Sequence, residues 1–455
     1  MLLARTPASA TPDHTPYQSR IDVWYHAAAM HFLHVIQRFY PYIGGSESYF
    51  LELSERLVAD GHTVTVLTTN AWDLDHFWAP QRKTISEPET IYQGVRIKRF
   101  PVVRVPGPPI CYPILRRLMV ELGRIPGTTP LLNRLALLTP RVPALTRYLG
   151  TTSEHFDLVH TTNITLDFTI LPALRFAQRR SIPHLCTPFI HLGEPNNQQI
   201  VRYYAQRHQL AILRQSARVV VQTHVEHDFL RGRGIPAARL RTVGGWVRPE
   251  TLVGGAASRF RQTYNLHGPL VLSIGAAAYD KGTMHTIQAM QRLWRAGSAA
   301  TLVLIAATTL AQFEEFYATL PEEDQRRIVV LKAAPHQTKL DALAAAEMLV
   351  MPSRTDSFGL VFLEAWMYDL PVIGARAGGV PAVIDDGHDG LLITFGDVSA
   401  LADAIQRLLQ ERTFAQTLGQ RGHAKVLREM TFEQKYAAMW RVYEEALRSF
   451  DVQRP

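Results

Sequence analysis

From Phe32 onward, short apolar runs alternate with stretches of helical spacing. That alternation confines the chain to α/β architectures in which crossover helices connect parallel strands. Residues 32–37 read as a buried strand. After Gly44-Gly45, the apolar positions Tyr49, Phe50, Leu53 and Leu57 recur at helical intervals, Gly61 closes the helix, and residues 62–67 form the next strand. Further strands are predicted at 158–160, 184–187, 218–222 and 241–243. A second series opens at Pro269, with strands predicted at 270–274, 301–305, 328–331, 348–351, 372–373 and 391–393. The Gly- and Ala-rich segment 244–257 between the two series reads as a linker. The expected fold is α/β: two Rossmann-like domains, 30–245 and 246–431, with parallel sheets facing across an interdomain cleft. Ligands bind beyond the carboxyl ends of such strands. In the closing segment 432–455, Tyr436, Met439, Trp440, Tyr443 and Leu447 share one helical stripe, read as core packing. Residues 1–29 have no steady period and read as a disordered tail, or as sequence ahead of a natural start at Met30.

With 47% hydrophobic residues among 455, the chain has material for two large cores, which excludes a wholly disordered class. Its two cysteines, Cys111 and Cys186, exclude a disulfide framework and read as reduced thiols of a cytoplasmic protein. No apolar run reaches the roughly 18 residues of a membrane-spanning helix. The net charge of +8 is uneven: the first 245 residues carry +10 and the remainder −2. Between Arg96 and Arg147 there are ten basic residues against one acid, Glu121, interleaved with Leu, Ile, Val and Met. Such a stretch fits either a solvated basic face or contact with an anionic membrane surface, here the inner face. Nucleic acid is disfavoured, because neither an aromatic stacking pattern nor a binding motif accompanies the charge.

Four loops carry the chemistry. Gly44-Gly45-Ser46-Glu47 joins the first strand to the first helix, where glycine amides and a helix N-terminus favour an anion. Lys281-Gly282 lies between a strand and a helix, a suitable place to meet phosphate. In the run from Pro352 to Glu364, Asp356 precedes Glu364 by eight residues, so a loop acid and a helix acid can border one cleft. Ala377-Gly378-Gly379-Val380-Pro381 offers further glycine amides. No GxGxxG dinucleotide fingerprint is present.

Taken in this order, the motifs resemble those of the retaining glycosyltransferases of family 4, enzymes of the GT-B fold. Asp356…Glu364 is similar to the family's Glu-x7-Glu, and Gly44-Gly45-Ser46-Glu47 to its Gly-Gly-x-Glu. His191 matches its acceptor-side histidine, Lys281-Gly282 its Lys-Gly, and Gly378–Pro381 its Gly-Gly-Val-Pro. The resemblance implies transfer of a hexosyl group from a nucleotide-sugar, UDP- or GDP-linked, to a hydroxyl of a glycan, lipid-linked or small-molecule acceptor. It implies no metal or other cofactor and a front-face reaction. It assigns Glu364 to the ribose, Asp356 to the donor sugar, and the amides of Phe358, Gly359 and Leu360 to the sugar or its phosphate. Lys281 would face the leaving diphosphate, Gly44 and Gly45 would close on it, and His191 would contact sugar or acceptor. The terminal helix would cross back onto the N-terminal domain.

The chain departs from the pattern at Asp356, one methylene short of Glu, and at Ala276, where the family usually has Arg. Arg354 or Arg376 is a candidate to restore that charge. These departures keep open a catalytically silent nucleotide-sugar-binding protein, beside a nucleotide-sugar epimerase on the same fold.

Overall fold

The computed structural model describes residues 29–42, 44–79, 83–104, 107–195 and 197–451. The tail expected at 1–29 lies, but for its last residue, outside the described residues. The first sheet has eight strands: β1 (His31–Val35), β2 (Thr63–Thr69), β3 (Glu89–Tyr92), β4 (Val95–Phe100), β5 (Leu158–Thr162), β6 (His184–Thr187), β7 (Arg218–Val221) and β8 (Leu240–Thr242). Their order is β3-β4-β2-β1-β5-β6-β7-β8. The second has six: β9 (Leu270–Ile274), β10 (Thr301–Ala306), β11 (Ile328–Lys332), β12 (Met348–Val350), β13 (Val372–Ala375) and β14 (Leu391–Ile393), in the order β11-β10-β9-β12-β13-β14. Strand pairs are parallel apart from β3 with β4. In each domain the winding reverses beside its first strand, between β1 and β5 and between β9 and β12. Those switch points are where open α/β sheets hold ligands.

Helices on both faces explain why the central strands are continuously apolar: Phe32, Leu33 and Val35 of β1, and Leu270, Val271 and Leu272 of β9, are fully buried. The β3–β4 hairpin is absent from the sequence-based expectation. Its turn, Gln93-Gly94, has φ of 48° and 78°, and β4 buries Val95, Ile97 and Arg99 on alternate positions. Charges along β4 mask its period-2 pattern.

This hairpin also corrects the reading of Arg96 to Arg147 as one basic surface. Arg96 pairs with Glu89 and Glu154, and Lys98 with Glu154. Arg99 donates to the carbonyls of Glu87 and Tyr40, and Arg116 turns inward toward Asp167. What stays outside is narrower. Helix Cys111–Leu122 and its flanks expose Ile110, Ile114, Leu118 and Ile125, with Arg117 beside them and Arg124 paired to Glu121 (2.6 Å). Among the described residues, no helix is long and apolar enough to cross a membrane.

Helix Phe432–Asp451 packs on the first domain: Tyr436, Met439, Tyr443 and Ala446 are buried in one cluster with Phe32, Phe50 and Leu53. Its start is tied to the linker, where Val247 N donates to the Met430 carbonyl (3.1 Å) and Phe432 N to that of Val247 (2.9 Å). The two passages between domains therefore run side by side. Beneath this helix, His160 bonds the Tyr443 hydroxyl (2.8 Å) and Thr187 (2.8 Å), while His34 bonds Ser54 (2.8 Å).

Candidate active site

Loops following β9, β12 and β13 meet the loop following β6 across the cleft. The first is shaped by Gly282, which follows the 3-10 turn Tyr279–Lys281 with φ of 74°; a side chain there would strike the Pro352 carbonyl. The loop thus sits directly on its neighbour, where Arg354 N donates to the Asp280 carbonyl (2.9 Å). This delivers the Lys281 ammonium to Asp356, with Nζ 2.8 Å from Oδ1. Burial pushes the Asp356 carboxyl up, but the charge and hydrogen bond of Lys281, with Ser353 and His191, hold it below the usual carboxylate range.

Glu364 stands on helix Leu360–Trp366, between buried Leu363 and Ala365. Lys339 Nζ donates to its Oε1 at 2.7 Å. The second oxygens of both acids, Asp356 Oδ2 and Glu364 Oε2, are buried and meet no hydrogen-bond donor among the described residues. Each carboxylate is thus charge-paired on one side and unsatisfied on the other. A buried orphan acceptor costs about 1–3 kcal/mol. Gly359 gives this helix no side-chain cap, and of its first three amides only Phe362 N finds a partner among the described residues, the Gly359 carbonyl (3.0 Å).

His191 reaches the cleft from the first domain. Its imidazole is pushed down to about 4 by burial and then by the nearby Lys281 charge, so it is neutral at pH 7. Its ring stacks on Tyr204 at 5.1 Å. The loop before it takes a left-handed turn at Phe189 (φ 47°), and Glu226 clamps it, accepting from Ile190 N (3.0 Å) and Gln222 N (2.7 Å). Burial raises the Glu226 carboxyl to about 7.

The cleft is bridged beside these groups. Gly378 N donates to the Gly193 carbonyl and Gly379 N to that of Asp356, both at 2.8 Å. The glycine amides after β13, expected to be free for a ligand, are therefore consumed in joining loops. Side chains there would strike the carbonyls of Asp356 and Ser357. Arg354 links Glu194 of the first domain (3.0 Å) to Asp280 of the second (2.8 Å), so its charge is matched rather than spare. Arg376 pairs with the exposed Asp386 loop.

Gly44 and Gly45 open helix Gly45–Ala59 on the rim of the first domain; a side chain on Gly45 would meet nothing within 4 Å. Phe358 and Leu360 set their side chains against linker Gly244-Gly245. Lys339, Glu194, Glu226 and Tyr204 escaped the sequence reading; each takes its place through a partner distant in sequence. Among the described residues, no three His, Cys, Asp or Glu side chains gather as a metal site would.

Two facing Rossmann-like domains with paired acids and a lysine at the cleft define the class of GT-B proteins. Residues 44–246 match the family pattern "Glycosyl transferase 4-like domain" and residues 268–411 match "Glycosyl transferases group 1". The chain belongs to glycosyltransferase family 4 and is a glycosyltransferase. It is 22% identical over 413 residues to N-acetyl-alpha-D-glucosaminyl L-malate synthase of Bacillus anthracis, covering 90% of this chain and 96% of that one. It is 24% identical over 398 residues to D-inositol 3-phosphate glycosyltransferase of a Nocardioides species, covering 82% and 80%. Among solved structures, sucrose-phosphate synthase of Thermosynechococcus elongatus superposes with a TM-score of 0.70 at 21% identity, over 92% of this chain and 100% of that one. Anabaena HepE in complex with UDP and glucose gives 0.66 at 15% identity, over 91% and 99%.

Proposed function

We propose that the chain transfers a hexosyl group from a UDP- or GDP-sugar to an acceptor hydroxyl with retention of configuration, by a front-face reaction without a metal ion. The observation that carries this reading is the pair of buried, unsatisfied oxygens, Asp356 Oδ2 and Glu364 Oε2, on carboxylates whose other oxygens pair with Lys281 and Lys339. Such acceptors suit the hydroxyls of a nucleotide-sugar, with Glu364 on the ribose and Asp356 on the donor sugar. Lys281 neutralises the departing diphosphate, with the amides of Phe358, Gly359 and Leu360 and the Gly44-Gly45 turn contributing dipoles. As the C1–O bond to the diphosphate breaks, the acceptor oxygen approaches C1 from the same face. Its proton passes to the leaving phosphate oxygen, so no protein nucleophile is needed. His191, neutral and on a loop whose Ile190 N is held by Glu226, orients sugar or acceptor by hydrogen bonding.

The protein works in the cytoplasm, and the exposed Ile110, Ile114, Leu118 and Ile125 with Arg117 support peripheral contact with an anionic inner-membrane face. The reading is tested by thermal shift with UDP, GDP, ADP, TDP and their sugar conjugates in EDTA. A response to one uridine or guanosine series is expected, and no response to any nucleotide refutes it.

A further inference from the structure

A cavity of about 870 Å³ opens beside His191, Asp280 and Thr355. Asp280 adjoins Lys281 and Thr355 adjoins Asp356, so one end of the cavity is the donor site. The rest of its wall is built differently, from Trp78, Tyr112, Leu166, Ile200, Tyr203 and Tyr204. Its two charged groups are already engaged, and few other polar groups line it, among them the Gln199 amide, the Tyr203 and Tyr204 hydroxyls, and Thr355 at the donor end. Arg116 donates to the Thr165 carbonyl (2.6 Å) and faces Asp167, and Asp280 is held by Arg354. A second hollow of about 260 Å³ shares Trp78, Pro109 and Tyr112 with the first, and the Trp78 and Tyr112 rings lie 5.2 Å apart between them. The wall ends at Ile110, 62% exposed and continuous with Ile114 on the outer face of the same helix. An apolar path therefore leads from the reacting end to the surface.

We infer that the acceptor is an amphiphile: a hydroxyl-bearing polar end set beside His191, joined to an uncharged aliphatic or aromatic body lying along Trp78, Tyr112, Ile200 and Tyr203. The inference rests on the sugar-transfer reading but uses residues outside the donor site. An acceptor that is glycan throughout would leave most of its hydroxyls facing ring faces and methyl groups, with few groups beyond Gln199 and the Tyr203 and Tyr204 hydroxyls to meet them, whereas an apolar body gains by leaving water. A volume of this size takes a body of drug-like dimensions or longer.

Alkyl β-D-glucosides from methyl to octyl, kept below micelle-forming concentrations, test this on the full chain saturated with its nucleotide. Aromatic faces also stack on sugar rings, so the dependence on chain length is the decisive readout. Affinity by calorimetry should rise by up to about fourfold per methylene, and by at least about tenfold from methyl to hexyl. Trp78→Ser and Ile200→Asp lie on separate segments and should each flatten that slope while leaving the nucleotide-induced thermal shift unchanged. Affinity independent of chain length, with the nucleotide shift intact, overturns the inference and leaves sugar transfer standing. A slope unchanged in both variants overturns the cavity as the site. No nucleotide response at all overturns sugar transfer itself and this inference with it. Transfer to octyl glucoside in solution, set against transfer to a glycolipid in vesicles, separates a soluble amphiphile from a membrane lipid.

Discussion

Glu364→Gln separates a ligand-binding carboxylate from a structural one, because the first places the loss in the ligand-bound protein and the second in the free protein. Without ligand, Glu364 has one oxygen on Lys339 and one buried with no donor. Glutamine keeps the shape and removes a charge whose second oxygen is unsatisfied. Lys339, itself 21% exposed, can turn to water. The free protein should therefore lose about 1 kcal/mol, the scale of a partly exposed ion pair, because the glutamine carbonyl still accepts from Lys339 and its amide merely takes the position that was already unsatisfied. With nucleotide, the variant forfeits charge-assisted bonds worth about 1.5–3 kcal/mol, or roughly 10- to 150-fold in affinity. At ligand about 100 times the wild-type dissociation constant, wild type gains about 2.7 kcal/mol, and a variant weakened about 30-fold gains only about 0.9 kcal/mol. Denaturant melts with and without the responding nucleotide measure both quantities. A variant that loses several kcal/mol without ligand yet keeps the full ligand response would refute the reasoning and make Glu364 a structural partner of Lys339.

Three further outcomes are expected. Lys281→Ala should lower kcat about 10²- to 10³-fold, the cost of removing one preorganised charge at a leaving group, and steady-state kinetics at saturating donor would show a wild-type rate if Lys281 only holds Asp356. Burial depresses His34 and His184 to about 3 and His160 well below 6.5, with neighbouring histidines adding to the last. Their folded values lie below the unfolded one, so their contribution is present above pH 6.5 and lost as pH falls. Three unmatched protons give a slope of up to about 4 kcal/mol per pH unit. Glu226, raised to about 7, opposes it: its contribution is lost as pH rises through 7. Denaturant melts should show stability falling from pH 7 to pH 5, and a flat profile would contradict the buried neutral cluster. Replacing both Ile114 and Leu118 by Asp should weaken pelleting with anionic vesicles at least about tenfold, since each buried side chain contributes about 1.5–3 kcal/mol; equal pelleting would remove the membrane-facing role.

Elements whose apolar period is undisturbed were legible in the sequence. Residues 270–274 and 391–393 are strands at the positions read from the sequence, because a strand buried in the sheet reads as a nearly plain run of Val, Leu and Ile, and 184–187 is also a strand as read although its run is His-Leu-Cys-Thr. The β3–β4 hairpin was not, because Arg96, Lys98 and Arg99 break the apolar signal and find their partners in Glu89, Glu154 and the backbone only after folding. The site shows the same division. Lys281, Asp356 and Glu364 sit in local motifs that punctuate strand ends, and the fold joins the first two in an ion pair. Lys339, 25 residues before Glu364, and Glu194, 160 before Arg354, belong to the site through tertiary closure. The Gly378-Gly379 turn carried the opposite lesson. Its local sequence reads as an anion cradle, but its amides are spent on Gly193 and Asp356, a use that only the facing loops reveal.

The central claim, retaining sugar transfer from a nucleotide donor at this cleft, is tested most directly by proton NMR of the anomeric signal during turnover. The donor would be the α-linked nucleotide-sugar whose base stabilises the protein, with octyl glucoside as acceptor and EDTA present. The account predicts that the first product formed carries the α configuration and that Lys281→Ala and Glu364→Gln slow its appearance. A β-configured first product would contradict the front-face reaction. Nucleotide binding with no product over a broad acceptor panel would contradict transfer and return the chain to the catalytically silent reading that Ala276 first suggested.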